Sequence, residues 1–271
     1  MNREELQRYR RHLLLPSIGE RGQERLLASR VLQVGVGGLG SPLALYLAAA
    51  GVGQLTLVDP DRVDLSNLQR QVIHRTPDIG RPKVESARDR LAALNPGVRV
   101  VPVPRALEGE ELLAAARAAD VVVDATDNFA ARFAVNAACV EARRPLVSGA
   151  VTRWEGQVTV FRADQGGGPC YRCLYPEGGE GSEGAEGAEG GAGGAGGAGG
   201  EGGAPDGAPG VVGPVVGIVG SVQATEVLKV LLGAGETLAG RLLVLDALSM
   251  EWRTLRLRRD PACPVCGPRA P

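Results

Sequence analysis

Apolar positions in this chain follow two alternating rhythms. Short runs rich in valine and leucine, such as "RVLQV", "QLTLV" and "DVVVDA", are separated by longer stretches in which apolar residues return every three or four positions. The first rhythm predicts strands and the second predicts helices. The opening "REELQRYRRHLLLP" and "GERGQERLLAS" read as two helical segments. "RVLQVGVGGLGSPLALYLAAAG" then gives strand, glycine turn and helix, with Ser41 expected at the N-cap and Pro42 at the first helical position. "GQLTLVD", "RPKVESARDRLAALNPG", "VRVVPVP", "EGEELLAAARAA", "DVVVDATDN", "FAARFAVNAACVEAR" and "PLVSGAV" continue the alternation. Such a series predicts an α/β fold, Rossmann-like and doubly wound, around a mostly parallel sheet.

The pattern changes after Val151. "GQVTVFRAD" reads as a strand, "PCYRC" as a cysteine knuckle, and residues 177–210 consist almost entirely of Gly, Ala and Glu. Without aromatic or large aliphatic side chains that stretch cannot bury enough surface to order itself, so a disordered loop is expected. "VVGPVVGIVGSVQATEVLKVLLG" predicts a closely packed helix, and "RLLVLDA" and "MEWRTLRLR" add a C-terminal strand region before a final "CPVC". Neither half has a complete core of its own, which predicts one domain over residues 1–271.

Composition narrows the function. A formal net charge of -1 with interspersed signs excludes a general nucleic-acid surface or an anionic membrane face. No signal-peptide pattern opens the chain, so a cytoplasmic location is expected. In that compartment five cysteines, four of them in two C-x-x-C pairs, suit metal ligands or reactive thiols better than disulfides. Lys83 and Lys229 are the two lysines in a chain that otherwise uses arginine, which singles out Lys83 near the glycine turn.

Gly35, Gly37, Gly38 and Gly40 lie between a strand and a helix, where glycines let the backbone approach phosphate or ribose. Asp59 ends the next strand roughly 20 residues on, the place for a ribose-binding carboxylate. These features predict a nucleotide but do not choose its chemistry. The stretch "VDPDRVDLSNLQRQ" does so by adding Asn67 and Arg70, with Lys83 following at the next helix start. Three donors, two of them cationic, suit a triphosphate better than a nicotinamide. Asp127, with Asn128 beside it, is expected to hold Mg²⁺ at the end of the fourth strand, and Asp124 to be a buried neighbour that orients the turn. His12 and His74 are expected to be structural.

"RYRRHLLLP", "GVGGLGSP", "LTLVDPDRVDLSNLQRQ", "GRPKVESA", "DATDN", "PLVSGA", "EGQVTVF", "PCYRCL", "GVVGPVVGIVGSVQATEVLK" and "CPVCG" together resemble the HesA/MoeB/ThiF family, prokaryotic relatives of ubiquitin-activating enzymes. The resemblance implies an adenylyltransferase that uses ATP and Mg²⁺ to activate the C-terminal glycine carboxylate of a small ubiquitin-like sulfur-carrier protein ending in Gly-Gly. Carried over residue by residue, Gly38 borders the nucleotide, Asp59 binds ribose, Asn67, Arg70 and Lys83 hold phosphates, and Asp127 binds Mg²⁺. Arg11 would reach the active site of the partner subunit in a homodimer. The chain then divides into N-terminal helices (1–29), a nucleotide-binding half (30–151) and a carrier-binding half (152–271). Two readings stay open beside this one: a dinucleotide-dependent oxidoreductase and a non-catalytic scaffold that binds nucleotide and carrier.

Cys170, Cys173, Cys263 and Cys266 form a tetrathiolate pattern, and the resemblance implies a structural zinc there. Cys139 lies in an apolar helical stretch and is expected to fill core. Relatives that form a thioester with the carrier use a cysteine in the loop before "GVVGP"; here Asp206 occupies that neighbourhood, and no cysteine occurs from Leu174 to Ala262. Adenylation without a loop thioester is therefore expected, with sulfur coming from a separate sulfurtransferase. A rhodanese-like region after Cys266 is not expected. The carrier and its pathway, whether molybdopterin, thiamine or tRNA thiolation, are not legible in these residues.

Overall fold

The computed structural model describes residues 1–176 and 210–267. The expected loop at 177–210, with Asp206, falls outside these residues except for Gly210. The N-terminal segment is divided into α1 (Arg3–Arg8) and α2 (Arg10–Leu13), followed by α3 (Gly19–Ala28). The division falls at Tyr9, whose ring is buried against Gly51 and whose hydroxyl accepts a hydrogen bond from Asn95 Nδ2 at 2.9 Å. Helical periodicity alone does not reveal that break, because its cause lies 86 residues away.

Next come β1 (Arg30–Val34), α4 (Gly40–Ala49), β2 (Gln54–Val58), α5 (Lys83–Leu94), β3 (Arg99–Val103), α6 (Gly109–Ala118), β4 (Val121–Asp124), α7 (Phe129–Ala142) and β5 (Pro145–Thr152). The second half supplies β6 (Glu155–Arg162), α8 (Tyr171–Leu174), α9 (Gly213–Leu232), β7 (Arg241–Asp246) and β8 (Glu251–Arg256). All eight strands form one sheet in the order β3-β2-β1-β4-β5-β6-β7-β8. The first five run parallel; a two-residue turn at Arg153 and Trp154 then reverses the chain, and β6, β7 and β8 pair antiparallel. Arg153 takes the left-handed conformation this tight turn requires, with φ 52°.

β4 is buried along its whole length, as its unbroken apolar run predicts. One core layer gathers α4, α5 and α9 on the sheet, and the other gathers α6 and α7, with Cys139 buried in the second. Helix α9 has the length and composition of a membrane span, yet half of it is buried inside the protein. Val216, Val219, Val227 and Leu231 lie on its buried side. Each fully buried side chain of this kind stabilises the fold by about 1.5–3 kcal/mol. The crossing of α9 over α4 is close because a Cβ at Gly220 would meet the Leu39 carbonyl at 2.6 Å.

The expected cap of α4 is corrected. The helix starts at Gly40 with Leu39 at the N-cap, and Ser41, already inside the first turn, donates its hydroxyl to the Gly37 carbonyl at 2.6 Å. Pro42 consequently sits at the third helical position, still among the residues whose N–H has no intrahelical acceptor. The glycine turn is therefore closed by a serine on its own backbone, which moves the helix start toward the turn.

Candidate functional site

The chain leaves β1 toward β2 on one side, while β4 lies on the other, so the crevice at the carboxyl ends of β1 and β4 is the switch point of the sheet. The glycine turn occupies it. Gly35 has φ 96°, and a Cβ there would lie 2.4 Å from the Ala125 carbonyl at the end of β4. Only glycine meets both demands. Gln33, fully buried in β1, donates from Nε2 to the Gly35 carbonyl at 2.9 Å and to the Gly40 carbonyl at 3.0 Å, joining the two ends of the turn.

Asp59, just past β2, turns its carboxylate toward the same place. Its Oδ2 accepts from the Val36 N–H at 2.7 Å and its Oδ1 from the Asp61 N–H at 2.9 Å. Burial raises its pKa, and nearby Lys83 and these two amides oppose the rise. Each carboxylate oxygen keeps a lone pair for another donor, such as a ribose hydroxyl. Lys83 opens α5; its side chain is 7% exposed, and Nζ pairs with Asp61 Oδ2 at 2.8 Å. A buried ammonium, paired with exposed Asp61 and close enough to buried Asp59 to lower its pKa, thus puts a positive charge in the crevice.

Arg70 and Asn67 belong to the loop after a 3-10 turn at Leu65–Asn67. Arg70 Cγ comes within 3.7 Å of where a Cβ would stand on Gly38, and its Nη1 donates to the Ser66 carbonyl at 3.1 Å. Asn67 uses its side-chain oxygen locally, accepting from the Asp64 N–H at 3.2 Å, which leaves its amide N–H groups for a ligand. The start of α9 abuts this loop: a Cβ on Gly213 would lie 2.6 Å from the Gln69 carbonyl and 3.5 Å from Arg70 Cα. The positive end of a 20-residue helix therefore faces the loop that carries the cationic Arg70.

On the β4 side, Asp124 is 1% exposed and fully engaged. Its Oδ1 accepts from the Thr126 N–H at 3.0 Å and the Thr126 hydroxyl at 2.7 Å, and its Oδ2 from the Ser148 hydroxyl at 2.8 Å. It fixes the turn that carries Asp127. Asp127 is exposed at that turn, two residues beyond Ala125, whose carbonyl packs on Gly35. An accessible carboxylate beside the glycine turn fits the one or two protein carboxylates that Mg²⁺ takes. Asn128 caps α7, its Oδ1 accepting from the Ala131 N–H at 2.9 Å, which leaves its amide nitrogen and one oxygen lone pair for a ligand.

Arg11 is not brought to this crevice within one chain. It is exposed on α2, and the anchors of that region are Tyr9 against Gly51 and His12, whose Nδ1 meets Gln23 Oε1 at 2.9 Å while Gln23 bonds the Ala50 carbonyl. All of these lie at the far end of α4 from the glycine turn.

The cysteines converge elsewhere. The Sγ atoms of Cys170, Cys173, Cys263 and Cys266 all lie within 4.8 Å of one another, with Cys170 and Cys263 at 3.7 Å and Cys173 and Cys266 at 3.4 Å. Tetrahedral zinc with Zn–S bonds of about 2.3 Å puts its sulfurs about 3.8 Å apart. The spacing fits a closed S₄ centre. The Asp260 N–H also points at Cys173 Sγ at 3.4 Å. Such a centre would tie the C-terminal tail to α8.

Two buried residues of the crevice were not singled out as site residues from the sequence: Gln33 and His74. Gln33 carried a signal, being the polar residue inside an otherwise apolar strand. His74 had none beyond following the "NLQRQ" loop.

The ThiF family model matches residues 9–265. The sulfur carrier protein adenylyltransferase of Thermus thermophilus is 47% identical over 98% of this chain and 92% of its own length. The SAMP-activating enzyme E1 of Haloferax volcanii is 46% identical over 97% and 89%. The molybdopterin-synthase adenylyltransferase of Escherichia coli is 44% identical over 97% of both chains. Among solved structures, Escherichia coli MccB with ATP superposes with a TM-score of 0.75 over 98% of this chain and 75% of that one, at 21% identity, a likeness of fold.

Proposed function

The chain belongs to the ThiF family, and from that premise we propose that it adenylates the C-terminal glycine carboxylate of a ubiquitin-like sulfur-carrier protein at the expense of ATP. One observation carries the reading: buried Asp59 is hydrogen-bonded to Val36 of the glycine turn within electrostatic reach of buried Lys83, and Arg70 packs on Gly38 of the same turn.

The chemistry follows from charge. The carrier's terminal carboxylate attacks the α-phosphorus, the bond to the bridging oxygen breaks, and that oxygen leaves with pyrophosphate. Two anions must meet, and negative charge grows on the leaving group. Lys83 and Arg70 would stabilise that charge, with Asn67 as a neutral donor. Asp59 is suited to the ribose. Asp127 would hold Mg²⁺, which supplies further neutralisation across the phosphate oxygens when bound. The glycine carboxylate is already ionised at neutral pH, so no general base is required.

Two partner features belong to the same proposal. Arg11 completes the site of a second copy of the chain, a reading supported by its distance from its own glycine turn. The apolar groove between α4 and α9, where Tyr46, Val72 and Ile218 line the surface, suits a second copy. With no cysteine from Leu174 to Ala262, the acyl-adenylate passes to a separate sulfurtransferase without a loop thioester.

The test is ATP–pyrophosphate exchange with a carrier ending in Gly-Gly. Carrier-dependent exchange is expected. Exchange without carrier, or none with any candidate carrier, would remove the proposal, and a scaffold would give the second result. An oxidoreductase would instead bind NAD(H) or NADP(H), which is disfavoured by the cations at the turn.

A further inference from the structure

Val36, the first non-glycine residue of the turn, is gripped from two sides. Its N–H donates to Asp59 Oδ2 at 2.7 Å, and its carbonyl meets His74 Nε2 at 3.1 Å. A carbonyl can only accept, so Nε2 carries the proton. Nδ1 is then the acceptor, and the Ser86 hydroxyl lies 2.9 Å from it. Both His74 and Ser86 are buried. In a trans peptide the N–H points opposite to the C=O. Holding the Val36 carbonyl inward on His74 therefore turns the Gly37 N–H outward, toward the side on which a ligand arrives.

We propose that His74 is a positioning residue of the nucleotide site, acting through Val36 to fix the direction of the Gly37 N–H, with the Ser86 hydroxyl completing the ring's hydrogen bonding at Nδ1. The inference deepens the adenylation reading and rests on it for the identity of the ligand. The surroundings favour the neutral ring. Burial lowers the His74 pKa, Lys83 lowers it further, and the Val36 carbonyl and Asp78 push the other way. Protonation would leave the Nε2–H on the Val36 carbonyl but bury a second cation near Lys83 and force the Ser86 hydroxyl from donor to acceptor, so the pocket behind the turn is destabilised in acid.

The experiment measures binding of a non-hydrolysable ATP analogue by calorimetry from about pH 7 to 5.5, together with carrier-dependent exchange, in the wild type, His74→Gln and His74→Ala. Glutamine can place an amide N–H where Nε2–H stands but does not titrate. His74→Ala is expected to weaken analogue binding about tenfold and to raise the KM for ATP more than it lowers kcat. His74→Gln is expected to stay within about threefold of the wild type at neutral pH and to lose the fall in affinity toward acid. Thermal melting with and without the analogue identifies an alanine variant that has merely unfolded, in which case the glutamine pH profile decides. Wild-type affinity in a folded His74→Ala, or an unaltered acid limb in His74→Gln, overturns the inference. Loss of analogue affinity in His74→Ala without exchange in the wild type would uphold the positioning role and remove the adenylation reading.

Discussion

Lys83 Nζ stands 2.8 Å from Asp61 Oδ2 in an unequal pair, the lysine side chain 7% exposed and the aspartate 62%. The ammonium is held from below by packing and from above by a carboxylate that water reaches. An incoming polyphosphate competes with Asp61 for that cation. Lys83→Gln is expected to lower kcat/KM for ATP about a hundredfold or more, because a charge stabiliser of the transition state is lost. The exposed Asp61 left behind is solvated, but buried Asp59 loses the cation that opposes its raised pKa, so the melting temperature should fall modestly. Asp61→Asn removes the competitor and is expected to lower the Kd for ATP a few-fold, as read by calorimetry.

Gly38 and Val216 are coupled across the two halves of the chain. A Cβ on Gly38 would meet Val216 Cγ1 at 2.7 Å. Gly38→Ala should cost about 1–3 kcal/mol of stability by overpacking and lower exchange activity. Val216→Ala in the same chain should recover much of both. A double-mutant cycle on denaturant midpoints and exchange rates measures the recovery, and simple additivity would contradict the contact.

The glycine turn, Asp59 and the loop of Asn67 and Arg70 were legible because each is a local sequence pattern next to a strand end. The paired cysteines were legible for the same reason, although 93 residues separate the partners that meet. What the sequence hid are relationships set by distant groups. Ser41 looked like a cap because a serine before a proline usually is one, yet the Gly37 carbonyl claimed its hydroxyl. His74 looked structural, which its burial bears out, but its contact with Val36 depends on how a loop 38 residues away folds back. Tyr9 broke a helical pattern for the sake of Asn95.

Zinc removal tests the cysteine centre. The purified chain is expected to carry one zinc, and a strong chelator or Cys263→Ser should lower the melting temperature by about 5–10 °C, since a few kcal/mol of tail anchoring is lost. Metal analysis beside a melting curve checks this. Catalysis should decline through stability, because the thiolates complete a closed shell without an open position.

Arg11→Ala and Asp127→Asn should each abolish most exchange while leaving the fold intact, both residues being exposed. If Arg11 serves the neighbouring copy, unfolding and refolding the two variants together creates mixed dimers with one intact site. About a quarter of wild-type activity should return. No recovery after confirmed mixing would place Arg11 outside the site.

Asp78 governs an acid transition. Burial pushes its pKa up, but hydrogen bonds from Arg75 and Arg81 prevail and bring it to about 2, below the ordinary 3.8. A depressed carboxylate contributes stability that is present above the ordinary value and lost as pH falls through the folded one. Wild-type stability should therefore drop between about pH 4 and 2, and Asp78→Asn should be less stable at neutral pH with a shallower acid limb. Denaturant titrations across that range check the slope.

The last carbonyl of β4, at Asp124, is held by Gln223 Nε2 at 2.8 Å, from a helix that follows it by 99 residues. A nascent chain on the ribosome thus has its glycine turn long before it has the wall behind that turn. A half-made molecule should hold ATP poorly, and the completed one acquires its grip only when α9 emerges and docks. Synthesis itself would then delay activation of the carrier until the whole enzyme is present.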